Sequence, residues 1–214
     1  MTNEFKVLSI DFDYIMAPCI KLYNDMSQGD ENPSVVWNVI EHERGIEPFL
    51  QYDASSLMDI AKIIKSNIKN GAKLVPIKEH QEIVGWLKAN GTQVPIDLTN
   101  IDFHHDVFYG GDLSLITEMN QYNCGNWVYY LHTHNMLSTY TWVKAPQSDM
   151  LREDIDFKIS KILRKSDLKT IQSNFNVVFF CLSPQWVPYK YHHLYDLILE
   201  LCKEDKNERT LCGE

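Results

Sequence analysis

Short apolar runs alternate along this chain with longer stretches in which apolar residues recur at helical spacing. Residues 7–10, 74–77, 94–103 (with interruptions) and 177–182 read as strands. Between them, residues 55–70 place Leu57, Ile60, Ile63, Ile64 and Ile68 on one helical face, open on serine and stop at Gly71. Residues 81–90 stop the same way at Gly91. Helices are also predicted over 155–164 and 192–203, the latter carrying Leu194, Leu197, Ile198 and Leu201. Such alternation predicts an α/β three-layer sandwich, with a mainly parallel central sheet and helices on its faces. No internal repeat, low-complexity tract or linker interrupts it, so residues 1–214 are expected to form one domain with a polar, fraying tail from about 203.

Composition narrows the function. With 44% hydrophobic and 23% charged residues the chain has the balance of a globular protein, and no apolar run reaches membrane-spanning length. The start, MTNEFKVLSIDFD, lacks the basic head of a signal sequence and runs straight into aspartates, so a cytoplasmic protein is expected, with no membrane partner. Five cysteines without a C-x-x-C pair read as reduced thiols. A net charge of -9 argues against nucleic acid, which is bound through clustered lysine and arginine, and suits a cationic substrate better.

Ligand-type side chains follow three of the strands. Asp11 and Asp13 follow the first, Glu79 and His80 the second, and residues 102–106 (Asp102-Phe103-His104-His105-Asp106) complete the third. In open α/β sheets the functional crevice lies at the carboxyl ends of the strands, where residues distant in sequence converge. Alternate positions of an extended segment share a side, which pairs Asp11 with Asp13 and Asp102 with His104, and Asp106 can return as the chain bends. With His80 this makes six oxygen and nitrogen ligands. They suit manganese, iron(II) or zinc, and the lack of a thiol near these motifs argues against a structural zinc site. A single D-x-D pair also serves phosphatases, sugar-nucleotide sites and solvated turns; the D-x-H-x-D segment carries the metal reading.

At these residues the chain resembles the ureohydrolase superfamily of arginases and agmatinases, whose D-A-H-x-D motif is matched by residues 102–106. The context Val75-Pro76-Ile77-Lys78-Glu79-His80-Gln81-Glu82 is closer to a divergent branch containing the peptide arginases. The resemblance implies an arginase-like fold with two manganese ions per chain, held by Asp11, Asp13, His80, Asp102, His104 and Asp106. It further implies that Asp102 and Asp11 bridge the ions and that Asp106 orients a bridging hydroxide. Its substrate would be an arginine-containing precursor peptide, converted to ornithine with release of urea. Two features depart from ordinary arginases: the S-x-D-x-D element (Ser9 to Asp13) comes first in the chain, and Ile77-Lys78-Glu79 replaces the family's glycines before the histidine.

Further roles are expected of nearby residues. His132 and His134 are candidates to carry a proton to the departing amine, His134 sharing a helical face with Trp127 and Tyr130. Glu79 is a candidate for the substrate cation, and Asn126 and Trp127 for peptide backbone or a stacked guanidinium. Residues 183–186 (Ser-Pro-Gln-Trp) should lie near the crevice without an assigned role. The rival functions are another ureohydrolase, a one-zinc deacetylase on a related scaffold, a phosphatase built on Asp11 and Asp13, and a metal- or peptide-binding protein without turnover. The chain also leaves room for a homo-oligomer.

Overall fold

A computed structural model describes residues 4–16, 32–43, 51–92, 95–110, 112–171 and 174–211. Six strands form one all-parallel sheet: β1 (Phe5–Asp11), β2 (Lys73–Ile77), β3 (Ile96–Asp102), β4 (Leu137–Lys144), β5 (Lys161–Arg164) and β6 (Val177–Cys181), in the order β2-β6-β1-β3-β4-β5. The helices are α1 (Pro33–Glu43), α2 (Ala54–Lys69), α3 (Glu82–Ala89), α4 (Leu113–Thr117), α5 (Trp127–Thr133) and α6 (His192–Leu211). Among the described residues, no helix is long and apolar enough to cross a membrane.

Alternation along the strands makes the three layers. Leu8 and Ile10 of β1, with Val178 and Phe180 of β6, face a core shared with Ile60, Ile63 and Ile64 of α2 and Tyr195 and Ile198 of α6. Val7, Leu98, Val177 and Phe179 face the opposite core, shared with α3, α4 and the wholly buried Trp127, Val128 and Leu131 of α5. Because both faces are covered, β6 is buried at every position, as a central parallel strand must be. The α2 helix is capped by Asp53 rather than by a serine: the Asp53 carboxylate accepts the backbone N–H groups of Ser55 and Ser56.

One expectation is corrected, and one strand is added. Residues 155–164 are not a helix: Ile155 packs into the second core with Phe157 and Ile159 at alternate positions, and residues from Lys161 pair with β4 as an edge strand. The strand β4 was not among the expected elements, although its Thr, Tyr, Trp and Val content favours a strand. The polar tail continues α6 to Leu211. Val94, Cys19 and Cys212 lie outside the described residues; Cys124, Cys181 and Cys202 are free thiols. At one end of the sheet, β2 carries Pro76, which has no N–H to give; at the other, the four-residue β5 carries Lys161 and Arg164.

The topology fixes where a ligand crevice opens. From β1 the chain passes to β2 on one side of the sheet, whereas from β3 it passes to β4 on the other. Strands β1 and β3 are hydrogen-bonded neighbours, with Ile10 opposite Ile101, so their carboxyl ends flank the point at which the strand order reverses.

Candidate metal centre

All six sequence-predicted ligands meet at that point. Asp11 ends β1, and Asp13 follows in a 3-10 turn (Phe12–Met16) closed by the Asp13 N–H on Asp11 Oδ1 at 3.0 Å. Asp102 ends β3. His80 arrives from the β2–α3 connection and crosses above β6, the strand between β2 and β1. Asp106 turns back through a left-handed backbone conformation, φ 52°, uncommon without glycine. Three contacts hold it there: its carbonyl accepts the Val128 N–H at 3.1 Å, while its Oδ2 accepts the Trp127 indole N–H and lies beside His80 Nδ1, both at 2.7 Å.

Asp102 faces two ways. Its Oδ2 is 3.2 Å from His80 Nδ1 and its Oδ1 is 3.9 Å from His104 Nδ1, whose nearer partner is Asp13 Oδ2 at 3.0 Å. Two donor groups therefore share Asp102: Asp13, Asp102 and His104 on one side, and His80, Asp102 and Asp106 on the other, with donor atoms within 4.8 Å of one another in each. Asp11 Oδ2 stands 3.5 Å from His80 Nδ1. Neighbours set the ligand orientations: Ser9 Oγ meets His80 Nε2 at 3.2 Å, Asn100 donates to Asp102 Oδ2 at 3.0 Å, and Ser183 donates to Asp11 Oδ2 at 2.6 Å.

Four buried carboxylates this close oppose one another's ionisation. Burial, with the charge of Asp13, raises Asp11 well above the usual carboxylate range; burial and Asp102 do the same for Asp13, and push Asp106 up to about 7. Against its own burial, Asp102 is held at about 2 by His80 and His104. Against its own burial, His80 is raised well above its ordinary value by the carboxylates of Asp11 and Asp102. A concentration of negative charge balanced by two imidazoles, with hard oxygen and nitrogen donors in groups that share a carboxylate, is chemically suited to hold a divalent cation.

Cys181 corrects the expected absence of a thiol. It ends β6 in register with Asp11 and forms a further donor group with Asp11 and His80. Burial pushes it up to about 12. Its place was readable from the strand that carries it, but not the position of that strand beside β1. Ser9 and Asn100 were likewise placed by the sheet, lying on the same side of their strands as Asp11 and Asp102.

The remaining predicted residues are distributed differently. His105 turns away from the cluster: its Nδ1 accepts the Val107 N–H, its ring stacks on Tyr109, and burial lowers it to about 4. Trp127 is wholly buried with its N–H committed to Asp106, so it orients that carboxylate and leaves no ring face open for stacking. Asn126 caps the turn before α5, its Oδ1 accepting the Asn123 N–H at 2.7 Å. His132 and His134 are not brought to the cluster. They lie at the far end of α5 from Trp127, His134 stacked on Tyr130 and bonded to Asn120, His132 against Tyr129 and Phe157. Glu79 stands on the rim, its carboxylate engaged by the side-chain amides of Gln81 and Gln185.

No family model, curated protein or solved structure matches this chain.

Proposed function

We propose that the protein is a metal-dependent hydrolase of linear amidines, a cytoplasmic enzyme that holds two manganese ions and converts arginine side chains of a peptide to ornithine with release of urea. The observation that carries the metal part is the division of Asp102, one oxygen toward His80 and the other toward His104. The substrate rests on the likeness of residues 9–13 and 102–106 to ureohydrolase motifs. When bound, the cations supply Lewis-acid polarisation and an activated water near neutral pH. The chain itself holds the reacting groups still: Ser183 fixes Asp11, Asn100 fixes Asp102, and Trp127 fixes Asp106. Burial of the cluster keeps bulk water from competing for the charges.

The test is urea release and peptide mass change on incubating manganese-loaded protein with free arginine and, separately, with arginine-containing peptides, beside an Asp102→Ala control. Conversion of peptide arginine alone is expected. Conversion of free arginine would make it an ordinary ureohydrolase, and a protein that neither binds manganese nor releases urea would end the reading.

Cys181 favours a second reading. A thiol beside His80 and Asp11 suits zinc better than manganese, as a one-zinc hydrolase of acyl-lysine would require. Retention of one zinc and no manganese after dialysis, with deacylation of acetyl-lysine peptides, would select it.

A further inference from the structure

The turn at residues 183–186 is expensive to build. Ser183 takes a left-handed conformation, φ 47°, which a non-glycine residue adopts at a cost of roughly 1–3 kcal/mol. Its carbonyl accepts the N–H groups of Trp186 and Val187 at 2.9 and 3.1 Å, and the Pro184 carbonyl accepts the Trp37 indole N–H at 2.9 Å. With Ser183 Oγ on Asp11, the turn is pinned to the cluster at one end and to α1 at the other. What it presents to the site is the half-buried ring of Trp186, 4.7 Å from that of His104.

His104 is the most open of the paired ligands, with 15% of its side chain exposed against 0–6% for Asp11, Asp13, His80, Asp102 and Asp106. A second aromatic ring stands beside it, that of Tyr109 at 5.6 Å. Tyr109 is itself braced: it stacks on His105 at 4.1 Å, its hydroxyl accepts the His105 N–H at 2.8 Å, and Gly125 passes so close that an added Cβ would lie 3.4 Å from the ring. Taken over the whole residue, Tyr109 is nevertheless 46% exposed.

The rim closes on a carboxylate. Gln185, next to Trp186, donates to Glu79 Oε1 at 2.8 Å, and Gln81 donates to Oε2. Two neutral amides orient Glu79 without cancelling its charge, and each carboxylate oxygen keeps a further acceptor site. Glu79 and Asp106 both lie within electrostatic reach of Cys124, the neighbour of Gly125. Two braced aromatic faces and a fixed, uncancelled carboxylate thus surround the cluster's solvent-facing edge.

We propose that Trp186, Tyr109 and Glu79 form the entrance that selects the substrate, admitting a planar cation on a flexible side chain, a guanidinium, between the rings and against the carboxylate; this deepens the amidine-hydrolase reading and rests on it. Ring faces attract a guanidinium through their quadrupoles, and its forked N–H donors match a carboxylate. A neutral ureido group has the same shape without the charge. The turn is strained because the residue that orients Asp11 must also deliver Trp186 and Gln185 to the rim.

The experiment measures manganese content, kcat and KM with N-acetyl-arginine amide for the full chain and for Trp186→Ala, Trp186→Phe and Glu79→Gln, with N-acetyl-citrulline amide as competitor. Trp186→Ala and Glu79→Gln are expected to raise KM about tenfold at undiminished manganese content and with kcat within about threefold, on the scale of a lost cation–π contact. Trp186→Phe should stay within about threefold of the parent, and the citrulline compound should compete at least about tenfold more weakly. Unchanged KM in both substituted proteins, or equal competition by the neutral compound, overturns the entrance and leaves the hydrolase reading standing. If the parent releases no urea, that reading fails and calorimetry decides the entrance alone. Preference for the charged compound that disappears in Glu79→Gln supports it; equal or absent binding of the two overturns it.

Discussion

The Asp106 carboxylate is held by one donor from the helix packed beside it. An indole N–H can only donate, so the Trp127 contact at 2.7 Å keeps Asp106 Oδ2 an acceptor and fixes which way it faces. Trp127→Phe preserves the packing of a wholly buried ring and removes only that donor. It is expected to lower manganese affinity about tenfold, the usual scale for an outer partner of a ligand, and stability by about 1–3 kcal/mol. A metal titration and a urea melt check the two effects; unchanged values in both would show that Asp106 holds its place without the indole. The charge of the cluster gives a second expectation, for the metal-free protein. Burial and Asp102 raise Asp106 to about 7, and Asp11 and Asp13 are raised as well. The native state therefore keeps protons that the unfolded chain has released between about pH 4 and 7, and its stability falls as pH rises through that window. His80, also raised, adds in the same direction, whereas Asp102, held at about 2, acts oppositely only at lower pH. At about 1.4 kcal/mol per pKa unit, Asp106 alone contributes a loss on the order of 4 kcal/mol by neutral pH. Chelator-treated protein should melt at lower temperature near pH 7.5 than near pH 5, and Asp106→Asn should weaken the dependence. A melting point that rises over this range would contradict the description of the cluster.

At the scale of elements, the α2 cap joins two parts of the fold. Asp53 caps the helix through Ser55 and Ser56 and also pairs with Lys165; although partial burial opposes it, these partners hold its carboxyl well below the usual range. Asp53→Ala should cost about 1–2 kcal/mol from the lost cap, seen as a lower urea midpoint with an unchanged slope; a changed slope would point to a wider loss of structure. The same helix shows what the sequence made legible. Its five-residue apolar stripe and glycine stop define the body of α2, while the start falls one residue earlier than the serine suggests because the capping carboxylate precedes it. The apolar runs marked β1, β2, β3 and β6 because those strands are buried in covered regions of the sheet or lie next to them. The segment 161–164 was not legible: at an exposed edge the alternation has only one face to satisfy, and Ile155, Ile159, Ile162 and Leu163 fall at helical spacing. For the site, strand ends announced Asp11, Asp102 and the D-F-H-H-D bend by spacing alone. Residues 183–186 do lie at the crevice, as their place after a strand implies, but the partners of Cys181, Ser183 and Trp186 could not be read without strand order, since β6 is last in sequence and adjacent to β1 in space. The proximity expected of His134 failed for a related reason: α5 delivers only its start, Trp127 and the Val128 N–H, to the cluster, and its axis carries the later residues away.

For the whole molecule, the cluster joins segments distant in sequence, with its carboxylates, imidazoles and their partners on β1, β3, α5, β6 and the β2–α3 connection or just after them. Cation binding should therefore act on global unfolding rather than on one loop. At a free concentration about a hundredfold above its dissociation constant, a ligand specific to the native state adds about 2.7 kcal/mol, which for a domain of this size corresponds to a rise of roughly 5–10 °C in melting temperature. Manganese should produce that rise as one cooperative transition, and a chelator should reverse it. No shift at saturating metal would mean that the native state gains nothing from the ion.

The two ends of the sheet bear on what happens between molecules. A free strand edge is a template on which another chain can add, and repeated addition is how cross-β fibres grow. Here the row of donors on β2 is broken at Pro76, and a copy approaching β5 meets a strand of only four residues with a positive charge at each end. A sheet that is fully parallel, and so assembles from contacts distant in sequence, stays exposed for longer while folding. Blunted edges at both ends give the chain that time without committing it to fibrils.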